Sequence, residues 1–195
     1  MIYKYKEFIP VIHPSAYVHP LAAVTGCVSI GKNCYIGPFA AIRGDFGEIE
    51  IEDGCNVQEN CMIHMFPGVK VHLKKNAHIG HGAVIHGAII GQNSLIGMNS
   101  VIMDDSIIGD ECIIGAMCFV PEKSKIPNRS LAVGSPFKII KEVSDDMIQW
   151  KTKGTELYQL LASECHQYLK ECEPLNEKPS QYKTPTGNYA SWRRQ

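Results

Sequence analysis

The chain has 195 residues, with 19 basic against 20 acidic side chains and a formal net charge of −1. That length accommodates one domain plus an appendage, and the balanced charge argues against a nucleic-acid surface. The opening stretch MIYKYKEFIP carries no long apolar segment, and no apolar run approaches membrane-spanning length, so neither a signal peptide nor a membrane anchor is expected.

A six-residue rhythm organises most of the chain. It starts as IGKNCY from Ile30 and IGPFAA from Ile36. It returns from Ile90 as IGQNSL, IGMNSV, IMDDSI, IGDECI, IGAMCF and VPEKSK. An aliphatic residue recurs at Ile90, Ile96, Ile102, Ile108, Ile114 and Val120, and glycine usually follows it. The fifth position is small: Ser94, Ser100, Ser106, Cys112, Cys118 and Ser124. Short-period self-similarity of this kind predicts a solenoid. Six residues suit a short strand and a bend, with Gly or Asn where the backbone needs positive φ. Three such units make one triangular coil of about 18 residues, whose aliphatic residues stack on those of the next coil.

The chain has eight cysteines. Cys34, Cys55, Cys61, Cys112 and Cys118 fall on the fifth position, where serine or alanine also occurs, and no CxxC pair is present. They are expected to be small, buried and reduced, which implies a cytoplasmic location.

The rhythm is irregular at the centre. The steps from Ile42 to Ile51 and from Ile63 to Val71 are longer than six residues, and that from Ile85 to Ile90 is shorter. Extra residues in a solenoid emerge as corner loops, where function concentrates. Three sides carry Ile42 through Ile51 and Val57 to Ile63. Three more, through Val71 and Ile79, carry Ile63 to Ile85, with Ala77 as an alternative marker on that second coil. Arg43, His64 and His86 each follow their aliphatic residue, so they stack in one column at the position glycine usually holds. His81 falls on the preceding side, near the column of Gln58. A site using all three histidines therefore asks for a second chain: in a symmetric homotrimer, His64 and His86 of one chain meet His81 of the next. Three neutral imidazoles suit catalytic Zn2+ with a fourth position for water, and Fe2+ or Co2+ would accept the same set. His13, His19, His72, His78 and His166 are read as structural.

The C-terminal third changes character. From Val143, helical spacing links Met147, Trp150, Leu157, Leu161, Cys165 and Tyr168, with Ser144 as N-cap and Asp145 and Asp146 in the first turn. The expected organisation is a β-helix over 1–138, a helix within 139–172 packed on the prism or a neighbour, and an extended or disordered tail over 173–195.

RGD at Arg43 to Asp45, NxQ at Asn56 to Gln58, His64, and HGAVIH from His81 to His86 resemble the signature of the γ-class carbonic anhydrase-like hexapeptide-repeat family. The likeness extends through the C-terminal helix and is strongest to the branch of PaaY-type and CaiE-type proteins. It implies a left-handed parallel β-helix, a handedness that repeat period alone does not give. It also implies zinc on His64, His81 and His86, and an Arg43–Asp45 ion pair across the subunit interface, with Arg43 also able to contact bicarbonate. Gln58 would orient zinc-bound hydroxide, and Asn56 would support the site. The implied activities are CO2 hydration and hydrolysis of aryl-CoA thioesters in phenylacetate metabolism.

The chain departs from the family archetype in one respect. Phe46 follows Asp45, and the loop from Met65 to Asn76 has no carboxylate to carry protons from the metal. His72, Glu48, buffer or another residue must do so, and Tyr158 on the helix is a further candidate at the site. Lys70, Lys74 and Lys75 are candidates to hold CoA phosphates. Two other readings remain: a metal-free hexapeptide-repeat acyltransferase with a single histidine base, and a non-catalytic operon-accessory trimer.

Overall fold

The computed structural model describes residues 1–181 and 189–192. The chain winds as the expected left-handed parallel β-helix, followed by one long helix. One side of the prism stacks Met62–His64, Val84–His86, Val101–Ile102 and Phe119–Val120. The next stacks Lys70–Leu73, Ile89–Ile90, Ile107–Ile108 and Lys125–Ile126. The strand Ala41–Ile51 runs through the corner between these two sides and joins them in a 12-stranded sheet. The third side is an eight-stranded sheet running from Tyr17–Val18 through Asn56–Val57, His78–Ile79, Leu95–Ile96 and Ile113–Ile114. At its end Lys138–Glu142 turns back antiparallel to Ser130–Val133 before the helix begins.

On the side bearing His64 and His86 the register follows the aliphatic count. Ile42 pairs with Ile63, Ile63 with Ile85, Ile85 with Ile102 and Ile102 with Val120, all of them buried. Ile79 pairs with Val57 as counted, but Ile51 and Ile90 both pair with Leu73, so the second coil is marked by Leu73 and Ile79, and Val71 pairs with Ile49 instead. Ala77 instead takes the small position two residues earlier, as Cys55 does before Val57. The fifth position is small because it sits inside the coil and donates to the neighbouring one: Ser94 Oγ to the Gly109 carbonyl at 2.7 Å, Cys112 Sγ to that of Pro127 at 3.0 Å. This shared role explains why serine and cysteine interchange. The cysteines among the described residues are unpaired thiols, and burial pushes Cys61 up to about 11.

Positive φ falls on asparagines and glycines as expected, among them Asn60, Asn76, Asn93, Asn99, Gly54 and Gly82, and also on Glu111, Met117 and Lys123. Gly91 is needed for close approach: a Cβ there would overlap the Gly109 carbonyl of the next coil.

The helix Asp145–Tyr168 is capped by Ser144, whose side chain accepts from Met147 N–H at 3.4 Å. It lies on its own chain's third side, against the strands at Tyr17, Tyr35 and Asn56. Its buried face keeps Met147 of the expected apolar stripe but otherwise differs from it: Leu157 and Tyr168 are exposed, whereas Lys151, Gly154, Thr155 and Ala162 are buried. Small residues let the helix approach closely, and polar anchors fix it. Lys151 Nζ donates to the Asn76 carbonyl and to Asn93 Oδ1, both at 2.7 Å, and Gln159 Nε2 donates to the Gly54 carbonyl at 3.1 Å. The tail comes back onto the helix: Tyr189 stacks on Trp150 at 5.7 Å, and Trp150 Nε1 donates to the Ala190 carbonyl at 2.8 Å. The expectation of an extended tail falls in part on 182–188 and 193–195, which lie outside the described residues.

Burial lowers the Lys151 ammonium to about 7. Between that value and the ordinary lysine range the unfolded chain binds a proton that the folded chain does not. Stability is therefore expected to rise with pH from 7 towards 10, by at most roughly 1.4 kcal/mol per pH unit. Urea unfolding across that range checks it, and the slope should flatten in Lys151→Met.

Candidate metal centre

On the side bearing His64 and His86, none of the residues after the buried aliphatics is glycine: Arg43, His64, His86 and Met103 occupy the column. His64 and His86 are register partners, and their ring centroids lie 5.4 Å apart. Arg43 Nη2 lies 3.2 Å from His64 Nε2, so the predicted column forms. The two long steps surround it. Gly68 N–H donates to the Phe46 carbonyl at 2.9 Å, and the two loops place Phe46 beside His64 and Phe66 beside His86, at ring separations of 5.3 and 5.0 Å.

His81 sits apart from this pair, at the corner that closes the third side. Its backbone N–H donates to Gln58 Oε1 at 3.2 Å. Among the described residues, the group of three possible ligands whose donor atoms lie within 4.8 Å of one another is Glu50, Glu52 and His72, on another side. One chain brings His64 and His86 together and leaves His81 separate.

The chemistry of the donor set fits a divalent metal. His81 Nδ1 lies 2.5 Å from Glu59 Oε2, and His86 Nδ1 lies 2.7 and 2.8 Å from the two oxygens of Asp104. At His86 the carboxylate behind Nδ1 fixes the tautomer and leaves Nε2 as a free lone pair, the arrangement that supports metal-bound histidines, whereas at His81 the carboxylate is close but Glu59 Oε2 accepts no well-aligned hydrogen bond. Burial opposes the charge on Glu59, but the backbone, Tyr35 and His81 outweigh it and hold its carboxyl below the usual range. His64 differs: its Nε2 meets Asp45 Oδ1 at 3.0 Å, and Asp45 also takes Arg43 Nη2 at 3.1 Å. Burial works against the Asp45 charge, and these partners overcome it and lower its pKa. Ligation through Nε2 requires both Asp45 Oδ1 and Arg43 Nη2 to leave that nitrogen. Arg43 and Asp45, two apart on one strand, share a face, so the pair implied across an interface is met here within one chain.

Gln58 is buried and fully oriented. Its amide nitrogen donates to Asn56 Oδ1 at 2.9 Å and to His78 Nε2 at 2.7 Å, which turns its oxygen towards His81. His78 lies 3.4 Å from Thr155 Oγ1 through its other nitrogen, and burial, first, and then the Lys151 charge lower its pKa to about 3. It is a neutral link from the helix to Gln58, a role that its sequence position did not signal. Asn56 Nδ2 is buried without a partner in the chain. Such an orphan donor costs about 1–3 kcal/mol. Tyr158 packs edge-on to His78 at 5.3 Å, and burial, first, and then nearby Glu59 raise its phenol to about 12.

Four of the expected proton carriers and phosphate ligands have partners of their own. Glu48 pairs with Lys70, and His72 with Glu52. Lys70 is held by Glu50 as well, and Lys74 lies 3.9 Å from Asp110. Glu59 and Asp104 were missed because they lie in regular hexads. The available signal was register: Glu59 is next to Gln58, and Asp104 lies one coil above His86. Asp104→Asn is expected to weaken metal binding about 10–100-fold with little change in fold, as measured by competition with a chromogenic chelator and by circular dichroism.

Fold and corner together define a hexapeptide-repeat protein. The bacterial transferase hexapeptide model matches residues 9–44 and 87–122, and the hexapeptide repeat of succinyl-transferase matches 27–64. The chain belongs to the family of the carnitine operon protein CaiE: it is 43% identical to Escherichia coli CaiE over 175 residues, 90% of this chain and 89% of that one. Two solved structures share the architecture. One is the Bacillus cereus BC4754 gene product, named as a candidate acetyltransferase, with 36% identity, a TM-score of 0.78, and coverage of 83% of this chain and 96% of that one. The other is a hexapeptide transferase family protein from Anaplasma phagocytophilum, with 27% identity, a TM-score of 0.81, and coverage of 86% and 98%. Among the described residues, no helix is long and apolar enough to cross a membrane.

Proposed function

We propose that the chain works as a homotrimeric, metal-dependent enzyme of the γ-carbonic anhydrase-like type. His64 and His86 of one chain and His81 of the next would hold the metal, and CO2 or an acyl-CoA thioester would be the substrate. The observation that carries this reading is the pair of histidines on different sides, His81 and His86, each with a carboxylate beside Nδ1, hydrogen-bonded at His86. A divalent ion bound there supplies a Lewis acid that makes hydroxide available near neutral pH.

The chain's own residues do the rest. Gln58, locked by Asn56 and His78, offers a carbonyl lone pair that orients the attacking oxygen. Arg43 supplies positive charge beside His64, suited to a bicarbonate or carboxylate product. Glu59, joined to Tyr35 at 3.0 Å, supports His81 from behind. Tyr158 stays a neutral donor at physiological pH.

The relationship to hexapeptide transferases supports a second reading, acyl transfer with one histidine as base. Zinc-loaded protein should hydrate CO2 or hydrolyse aryl-CoA, lose the activity to a chelator and regain it with zinc. Chelator-resistant acyl transfer to an amine or hydroxyl acceptor, without either hydrolytic activity, would favour the transferase.

A further inference from the structure

The hydrogen bonds around Gln58 form one chain, and its direction is set at the His81 end. The His81 backbone N–H can only donate, so the Gln58 atom 3.2 Å from it is the oxygen, Oε1. That turns Gln58 Nε2 towards Asn56 Oδ1 at 2.9 Å and His78 Nε2 at 2.7 Å. An amide nitrogen only donates, so His78 Nε2 accepts and the imidazole proton sits on Nδ1. Nδ1 faces Thr155 Oγ1 of the C-terminal helix at 3.4 Å, and that hydroxyl donates to the Lys151 carbonyl, also at 3.4 Å. Burial, first, and then the Lys151 charge keep His78 neutral, so only its tautomer is left to vary.

The same side chains could run the other way. With the proton on His78 Nε2 and both amides reversed, Gln58 Oε1 would accept from His78 and from Asn56 Nδ2, the buried donor that now has no partner. The His81 N–H would then face an amide nitrogen. The observed direction therefore has to be held at both ends, by the His81 N–H and by an acceptor for His78 Nδ1. Thr155 is fixed for that task. Lys151, Thr155 and Gln159 recur every four residues on one helix face, and the outer two are tied to the Asn76 and Gly54 carbonyls of the prism.

We propose that Thr155 is a positioning residue for Gln58: by accepting the His78 Nδ1 proton it fixes the imidazole tautomer, and the tautomer keeps the Gln58 oxygen at the His81 end of the site. The C-terminal helix thereby sets the polarity of a group that it does not touch. The tautomer follows from the hydrogen bonds alone, whereas its effect on turnover rests on the metal-dependent reading above.

The test uses the whole assembled protein labelled with 15N-histidine and reads tautomers from long-range 1H–15N correlations. The His78 ring is identified by its contact with the Tyr158 ring. In wild type it should carry its proton on Nδ1. Thr155→Val keeps the shape but removes the acceptor, and should shift the tautomer ratio at least about fivefold towards Nε2–H. Thr155→Ser should keep the wild-type ratio. In zinc-loaded protein Thr155→Val should lower kcat for CO2 hydration or thioester hydrolysis about tenfold, with KM, zinc content and oligomeric state unchanged, and Thr155→Ser should restore it. A wild-type His78 protonated on Nε2, or a ratio that Thr155→Val leaves unchanged, overturns the proposal. A shifted tautomer with unchanged kcat overturns the tie to Gln58. Zinc-loaded wild type that turns over neither substrate overturns the metal-dependent reading, while the tautomer still decides whether Thr155 sets the ring. If Thr155→Val does not assemble, Thr155→Ala, which also lacks the acceptor, is read in the same way.

Discussion

His81→Ala is expected to remove tightly bound metal from every site of the assembly and to lower CO2 hydration and thioester hydrolysis to background, without unfolding the chain. Its side chain is about half exposed, so truncation leaves no cavity in the core. His64→Ala should have the same effect on metal content from the opposite side of the prism. The two variants are complementary, because a site drawn from two chains needs His64 and His86 from one and only His81 from the other. Unfolding and refolding an equal mixture should restore about a quarter of the sites if chains assort at random in closed cyclic trimers. Metal analysis of the refolded mixture checks this. Zero recovery in verified mixed trimers would mean that the three histidines do not share a site across chains.

The second large effect concerns the column that carries the histidines. Ile85 is buried between Ile63 and Ile102 and directly precedes His86. Ile85→Ala is expected to destabilise the prism by about 2–5 kcal/mol, through lost burial and a cavity that the stacked backbone cannot close. Ile85→Val should cost only about 0.5–1.5 kcal/mol. Because His64 and His86 keep their spacing through this column, metal affinity should fall along with stability in the alanine variant. Equilibrium unfolding in guanidinium, paired with chelator competition, measures both. A small stability loss in Ile85→Ala would show that neighbouring coils relax into the space, contrary to a rigid scaffold.

Much of this was legible in the sequence because a solenoid turns residue counting into geometry. The count from Ile42 to Ile63 to Ile85 reproduces the observed register, and with it the Arg43, His64 and His86 column and the separate placing of His81. Two things were misread because they depend on what lies outside the repeat. The helix buries Lys151, Thr155 and Gly154 rather than Leu157 and Tyr168. Its anchors are corner carbonyls and asparagines of the prism, which a hydrophobic period within the helix cannot register. The count also took Val71 as the marker of the second coil, but Leu73 pairs with Ile51 and Ile90, because the loop before it adds residues that the hexad rhythm does not register. His78, Glu59 and Asp104 were also passed over. Each lies on an ordinary hexad position and gains its role only through a neighbour one coil away, so the three could be found only by asking what each histidine meets above or below it.

The measurement that most directly tests the shared metal centre is the metal content of intact assemblies, resolved by oligomeric state in native mass spectrometry after expression with zinc. The site described here predicts three metal ions on each trimer and none on the isolated chain. A trimer that stays metal-free, or a single chain that binds zinc as tightly as the trimer, would contradict it.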